Sequence, residues 1–343
     1  MLSCVRTGKQ HRAGGMKKIK SDLRRLTDSY GEINKGKIVT ENILELEQIK
    51  MTSLAVHIET FLSESEGSWE TLRVYRQALR KFAKWAETMP PTTSVVRIYK
   101  SYLLNIGLKP NTVSIYLTGI NQFFDYLVEQ RRIPYNPAKV VRRPRIPRTH
   151  QRDPLTSEGA KMLLGNIPRS AIKGYRDYAM VNLMLRTGVR EVEVSRMIIS
   201  DITWKEGERI IEIQGKGRDC KDSFVILTAE AYDPIAEYLA LRTDVDSSRP
   251  LFGSVGNRSR GKLSTRAIRS IISQYLKISG LKTKRVTPHS LRHTAITLAL
   301  KGGNGLNLLQ VQQMARHLNI GSTMVYVREY ERMKNAAERC IKI

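Results

Sequence analysis

The sequence predicts a mainly α chain with one small antiparallel β-sheet, arranged as two domains. Three observations carry this. Apolar residues recur at three- and four-residue spacing through 51–139 and through much of 154–343, as helices with a buried face require. The stretch 197–227 instead carries short β-branched runs, parted by Glu206-Gly207 and Gly215–Gly217, and reads as strands joined by turns. Between the two helical blocks lies V-V-R-R-P-R-I-P-R-T-H-Q-R-D, residues 140–153, where Pro144 and Pro147 forbid a continuous helix.

Taken in order, residues 1–50 form a basic arm (Lys17, Lys18, Lys20, Arg24, Arg25) whose glycines interrupt any helix, and it is expected to be solvated and disordered. Four helices should fill 51–139. Leu54–Leu62 is the first. Ser68–Met89 is the second, with Ser68 as its N-cap and Leu72, Tyr75, Leu79, Phe82 and Trp85 as its stripe. Val95–Leu104 is the third, stopped by Gly107. Pro110-Asn111-Thr112 opens the fourth, which buries Ile115, Leu117, Ile120, Phe123, Phe124 and Leu127. These stripes are core. The faces opposite carry Arg73, Arg76, Arg80, Lys81, Lys84 and Lys109.

Residues 140–153 are a linker extended by its prolines; five of them are Arg. From Pro154 on, helices are expected at Leu155–Ile167 and Ala171–Thr187. Strands follow at Met197–Trp204, Arg209–Gln214 and Ser223–Leu227. Further helices are expected at Ala229–Leu241, Thr265–Ile278, Ser290–Lys301, Leu306–Arg316 and Ser322–Tyr330. Glu331–Ile343 is a tail helix, with Met333, Ala336, Ala337 and Ile341 at near-helical spacing.

Charge narrows the function. Lys and Arg number 58 against 32 Asp and Glu, a net +26 with pI ≈ 10.1. Such an excess points to a polyanion, most often nucleic acid; a surplus kept for solubility alone is the bland alternative. No apolar run approaches ~20 residues, so no membrane helix is expected. Met1–Lys20 has no apolar segment of the kind a signal peptide needs. Cys4, Cys220 and Cys340 share no pairing rhythm, which suits a reducing cytoplasm and neither disulfides nor zinc. No carboxylate cluster has a metal-binding rhythm, and no G-x-x-x-x-G-K-[ST] loop is present, so neither a metal nor a nucleotide cofactor is expected.

The chemistry concentrates between Thr187 and Tyr326. Gly188 closes one helix and Arg190 opens the next, where free backbone N–H groups favour anions. Glu193 lies three residues on, a spacing that also describes an ordinary surface ion pair. Gln214-Gly215-Lys216-Gly217-Arg218 puts Lys216 at a hairpin tip, with Lys221 as its rival. His289 and Arg292, three apart, share a helix face, and Pro288 suits the first turn. His317 and Tyr326 follow, either side of Asn319–Gly321. Three of the six histidines fall in this region. Arg pairs with phosphate oxygens in bidentate fashion. His moves protons near neutral pH, and Tyr can be a covalent nucleophile. His293 reads as structural, and Tyr330, four residues beyond Tyr326, is the competing nucleophile.

His289-Ser290-Leu291-Arg292-His293-Thr294, then Arg316-His317, then Tyr326 nine residues later, resemble the tyrosine recombinases, the phage-integrase and Xer-like family. Its pattern is H-x-L-R-H-[ST], a G-H, and a Tyr at that distance. Thr187–Val194 is similar to its T-G-L-R-x-x-E-[LV] box and Gly215–Gly217 to its G-K-G hairpin. Trp69–Tyr75 and Asn136-Pro137-Ala138 resemble its core-binding domain. One position departs: Arg316 stands where the family usually has Gly.

The resemblance implies a helical core-binding domain, 51–139, and an α+β catalytic domain, 154–343, closing on duplex DNA as a tetramer. It implies catalytic roles for Arg190, Lys216, His289, Arg292, His317 and the nucleophile Tyr326, with Glu193 buttressing Arg190. Arg73, Arg76, Arg80, Lys109, Arg142, Arg143 and Arg145 are then expected to meet DNA, and 1–50 could add a further DNA-contacting arm. Two rivals stay open: a type IB topoisomerase, with similar chemistry but no defined site, and a catalytically idle DNA-binding protein of the same fold.

Overall fold

The computed structural model describes residues 50–146, 152–215, 219–255, 261–302 and 308–341. The chain divides into two compact units, Met1–Ile146 and Pro147–Ile343.

The described residues of the first unit form helices only: α1 Met51–Ala55, α2 Ile58–Glu64, α3 Trp69–Ala86, α4 Thr93–Asn105 and α5 Pro110–Glu129. Local chemistry sets the starts. The Ser68 hydroxyl accepts from Thr71 N, Thr92 does the same for Val95 N, and Pro110 occupies the first turn of α5. Gly107, at φ 82°, ends α4 in a conformation that favours glycine. Phe82, Tyr99, Phe123 and Phe124 lie at the centre with at most 1% exposure, the three Phe rings each contributing on the order of 1.5–3 kcal/mol by burial. The α3–α5 crossing is tight: a Cβ on Gly119 would lie 2.9 Å from Tyr75 Cδ1. Asn136 closes the unit. Its Nδ2 donates to Asn121 O and Asp125 Oδ1, and its Oδ1 accepts from Ala138 N.

The expected first helix is two. A turn at Val56–His57 re-aims the chain so that Leu54 and the later Ile58, Phe61 and Leu62 all reach the core, leaving Val56 71% exposed. Ile115, expected in the core stripe of α5, is 39% exposed, because the buried arc of that helix runs through Val113, Leu117, Ile120 and Phe124.

The second unit is built round α7, Ile172–Thr187, whose Ala179–Leu185 are all buried. Helix α6, Ser157–Gly165, precedes it, and α8, Glu191–Arg196, follows Gly188. Then come β1 Ile202–Lys205, β2 Glu208–Ile213 and β3 Ser223–Ile226, an antiparallel meander in the order β1-β2-β3 with Trp204 opposite Arg209 and Ile211 opposite Val225. Glu206 and Gly207, both at positive φ, make the two-residue turn between β1 and β2, the geometry that matches strand twist. The expected first strand starts late: Ile199–Asp201 is a 3₁₀ turn, held by the Asp201 carboxylate accepting from Ile198 N.

Among the described residues, five α-helices follow: α9 Ala229–Ala240, α10 Thr265–Ile278, α11 Ser290–Gly302, α12 Leu308–Ala315 and α13 Ile320–Lys334. The expected tail helix is also corrected. Helix α13 runs on to Lys334, past Tyr330, and the described residues beyond it form a 3₁₀ turn, Ala337–Cys340, joined to α13 by the Arg332–Glu338 ion pair. Among the described residues, no helix is long and apolar enough to cross a membrane.

Candidate active site

Four helix ends in the second unit, at the C-terminus of α7, the starts of α8 and α11 and the C-terminus of α12, supply most of the candidate residues. Gly188, at φ 64°, turns the chain out of α7, and Arg190 stands immediately before α8. Glu193 is fully buried. Its Oε2 accepts from Arg190 N at 2.8 Å and its Oε1 accepts from Arg190 Nη1 at 2.7 Å. Burial works to raise the carboxyl pKa, but Arg316, then Arg190, outweigh it and hold Glu193 below its usual value.

His289 directly precedes α11 and is exposed; its carbonyl accepts from His293 N. Desolvation by the surrounding protein, then the charges of Arg292 and Arg190, lower its pKa despite the pull of Glu191. Arg292 is 2% exposed. Its Nη1 donates to Gly188 O at 2.5 Å, and its Nη2 donates to Ala315 O. One guanidinium thus bridges the ends of α7 and α12. Burial, then Arg190 and Arg316, push its pKa down to about 9, which still leaves it cationic at neutral pH.

Tyr326, 8% exposed on α13, packs with Ile296, Val311 and Ala315. Two imidazoles cover its ring: His293 at 5.2 Å between centroids, and His317, stacked, at 6.2 Å. His289 lies edge-on to His293 at 5.0 Å, so the His293 ring contacts both His289 and the phenol ring. His317 Nδ1 shares a 2.9 Å hydrogen bond with the hydroxyl of fully buried Thr323. Sequence reasoning passed over Thr323. Its signal is its place three residues before Tyr326, on the same helix face.

The structure therefore brings Arg190, Glu193, Arg292, His289, His317 and Tyr326 into one unit. Lys216 lies outside the described residues. Its neighbour Gly215 is held by Arg196 Nη1 at 2.9 Å and lines, with Arg190, Arg316 and His317, a cavity of about 1240 Å³. Lys221, the rival, is ion-paired to Asp201.

In the first unit, Arg73 lies over the Trp69 ring at 5.7 Å, and Arg76 and Arg80 both pair with Glu59. Lys109, Arg142, Arg143 and Arg145 are exposed.

Comparison with known proteins gives this arrangement its family. The chain is 29% identical over 289 residues to a protein named tyrosine recombinase XerC from Thermodesulfovibrio yellowstonii, covering 80% of this chain and 92% of that one. It is 29% identical over 283 residues to tyrosine recombinase XerA from Pyrococcus furiosus, covering 82% and 91%. Among solved structures, the Tn1549 transposon integrase in complex with transposon right end DNA shares the fold, with TM-score 0.64, 16% identity, and 85% and 99% of the two chains covered. So does the XerH site-specific recombinase bound to difH, with TM-score 0.61, 18% identity, and 91% and 90% covered. The phage integrase family model matches residues 154–333, the span that holds every residue of this site, and the chain belongs to the phage integrase family.

Proposed function

We propose that this chain is a site-specific DNA recombinase that cuts and rejoins duplex DNA through a 3′-phosphotyrosyl intermediate, with neither metal nor ATP. The observation that carries this is Tyr326, its ring enclosed by His293 and His317 in the unit that also holds Arg190 and Arg292. The Tyr326 oxygen attacks phosphorus, the P–O5′ bond breaks, and the phosphate passes from one ester to another at similar energy. Rejoining to a new 5′-hydroxyl is the same step reversed, so no external energy source is needed.

A phenol ordinarily has a pKa near 10, so attack requires proton removal. His289, its pKa held below the usual imidazole value, takes that proton in our reading. Arg190 and Arg292 stabilise the charge that builds on the non-bridging oxygens. His317 donates a further hydrogen bond, its ring fixed by Thr323. Lys216 delivers a proton to the leaving O5′; Gly215 at the cavity wall supports that placement.

The partner is duplex DNA, engaged in the cytoplasm by a tetramer on two paired sites; a related lambda integrase was solved as a tetramer bound to a Holliday junction. The bounds 51–139, 140–153 and 154–343 are proposed as the core-binding domain, linker and catalytic domain. Arg73, Arg76, Arg80, Lys109, Arg142, Arg143 and Arg145 are proposed to meet the backbone. A role in moving a mobile element suits the likeness to the transposon integrase. Both the family and the recombinase names of its relatives favour this over a type IB topoisomerase or an idle DNA-binding protein.

The test is a nicked duplex that loses its 5′ end on cleavage and so traps the covalent complex. Wild type and Tyr330→Phe should be trapped. Tyr326→Phe should bind DNA equally and give no adduct. Peptide mapping that places the nucleotide on any residue but Tyr326 would refute the assignment.

A further inference from the structure

Arg316 combines three unfavourable features. Its φ is +52°, the left-handed region, which costs a side-chain-bearing residue roughly 1–2 kcal/mol. Its side chain is charged and only 9% exposed. Its Nε is buried with no hydrogen-bond partner. A glycine would remove all three, and this is the position where the family pattern usually has one. Strain of this kind is a reason to look for function.

What offsets it is Glu193. Arg316 Nη2 donates to Glu193 Oε2 at 2.8 Å, while Nη1 donates to Met314 O at 2.9 Å. The same carboxylate holds Arg190 through Oε1. Arg190, Glu193 and Arg316 all line the cavity beside His317. Consider the site without Arg316. Glu193 and Arg190 would form a neutral pair, and the carboxylate that orients the phosphate clamp would also cancel its charge. With Arg316 present, the group of three carries a net +1, and Arg190 is held by a carboxylate whose charge is already balanced.

We propose that Arg316 is a positioning residue. It takes up the charge of Glu193 and, through that shared carboxylate, holds Arg190 aimed into the cavity with its positive charge available to a phosphate. The inference rests on the phosphodiester chemistry proposed above.

The test uses the full chain with Arg316→Gly, Arg316→Gln and Arg316→Lys. Glycine suits the backbone, so Arg316→Gly should melt at or above the wild-type temperature, which separates this role from a folding role. Gln keeps a donor for Glu193 and removes only the charge. The DNA probe is the nicked duplex that wild type captures covalently from a pool with randomised flanks. On it, Gly and Gln should both slow adduct formation by about 10- to 100-fold, the scale for groups that orient a reacting centre from behind, with DNA affinity unchanged. Lys should recover most of the rate.

The second probe is inorganic phosphate, titrated by phosphorus NMR. Gly and Gln should weaken its binding about fivefold, the scale of one partly screened charge, and Lys should restore it. Arg316→Gly matching wild type with both probes, or Arg316→Gln behaving as wild type, would overturn the proposal. If wild type itself captured no DNA, the recombinase reading would fail, and the phosphate titration would still decide whether Arg316 charges the cavity.

Discussion

The proposed role of His289 as proton acceptor makes a prediction about pH. His289 is exposed, it abuts His293, and its pKa lies below the ordinary 6.5 because protein crowds it and Arg292 and Arg190 are near. A proton acceptor must be neutral before it can act. Adduct formation should therefore be flat near pH 7 and fall on acidification, with the acid limb centred below 6.5. The stability term has the same sign. The unfolded imidazole binds its proton more tightly than the folded one, so stability drops as pH falls through that window. His289→Ala should slow single-turnover cleavage by roughly 10²- to 10⁴-fold and abolish the acid limb. A limb that persists unchanged in this variant would move the acceptor role elsewhere, and His293, in ring contact with both His289 and Tyr326, would be the first place to look.

At the scale of elements, the turn out of α7 matters most. Gly188 combines φ 64° with a tight setting: an added Cβ would lie 3.4 Å from Ala295 Cβ. Gly188→Ala should cost about 1–2 kcal/mol, which lowers the melting temperature of a unit this size by about 2–4 °C per kcal/mol. It should also slow cleavage, since Gly188 O is a partner of Arg292. Loss of stability with full activity would show that the turn does not position the arginines. Elements of this kind were legible in the sequence because local chemistry marks their ends. Ser264 caps α10 at Ala267 N, and the helix spans Thr265–Ile278 as its periodicity predicts. What was not legible depended on tertiary approach. The break between α1 and α2 follows from which side chains the core accepts, and nothing in Leu54–Leu62 marks it. The candidate site divides in the same way. His289, Arg292, His317 and Tyr326 stand out by spacing. The sharing of Glu193 by Arg190 and Arg316 needs α8 and the end of α12 to meet, and the grip of Thr323 on His317 needs the turn at Asn319, whose side chain caps α13.

For the whole molecule, the +26 charge is the dominant property. Some of it is already paired: Arg76 and Arg80 share Glu59 at exposed positions. Such pairs contribute about 0–1 kcal/mol, so exchanging them for DNA phosphates costs little. Affinity should fall steeply with salt, with roughly −0.9 in log–log slope for each phosphate neutralised. Replacing Arg142, Arg143 and Arg145 together by Ala should flatten that slope by about 0.9 for each phosphate these side chains neutralise. An unchanged slope in a salt titration would show that this segment is solvated and not bound.

The bridge made by Arg292 has a consequence for how variants of this protein are sorted. Its guanidinium ties Gly188 O to Ala315 O, the trailing ends of two helices far apart in sequence. A survey that ranks variants by yield would class Arg292 as part of the scaffold, and one that ranks them by recombined product would class it as part of the chemistry. Both would be measuring the same bonds. With Tyr326 as the proposed nucleophile, an inactive protein intended to stay on its DNA is therefore better made there, where one oxygen atom can be removed and the ring left in its packing.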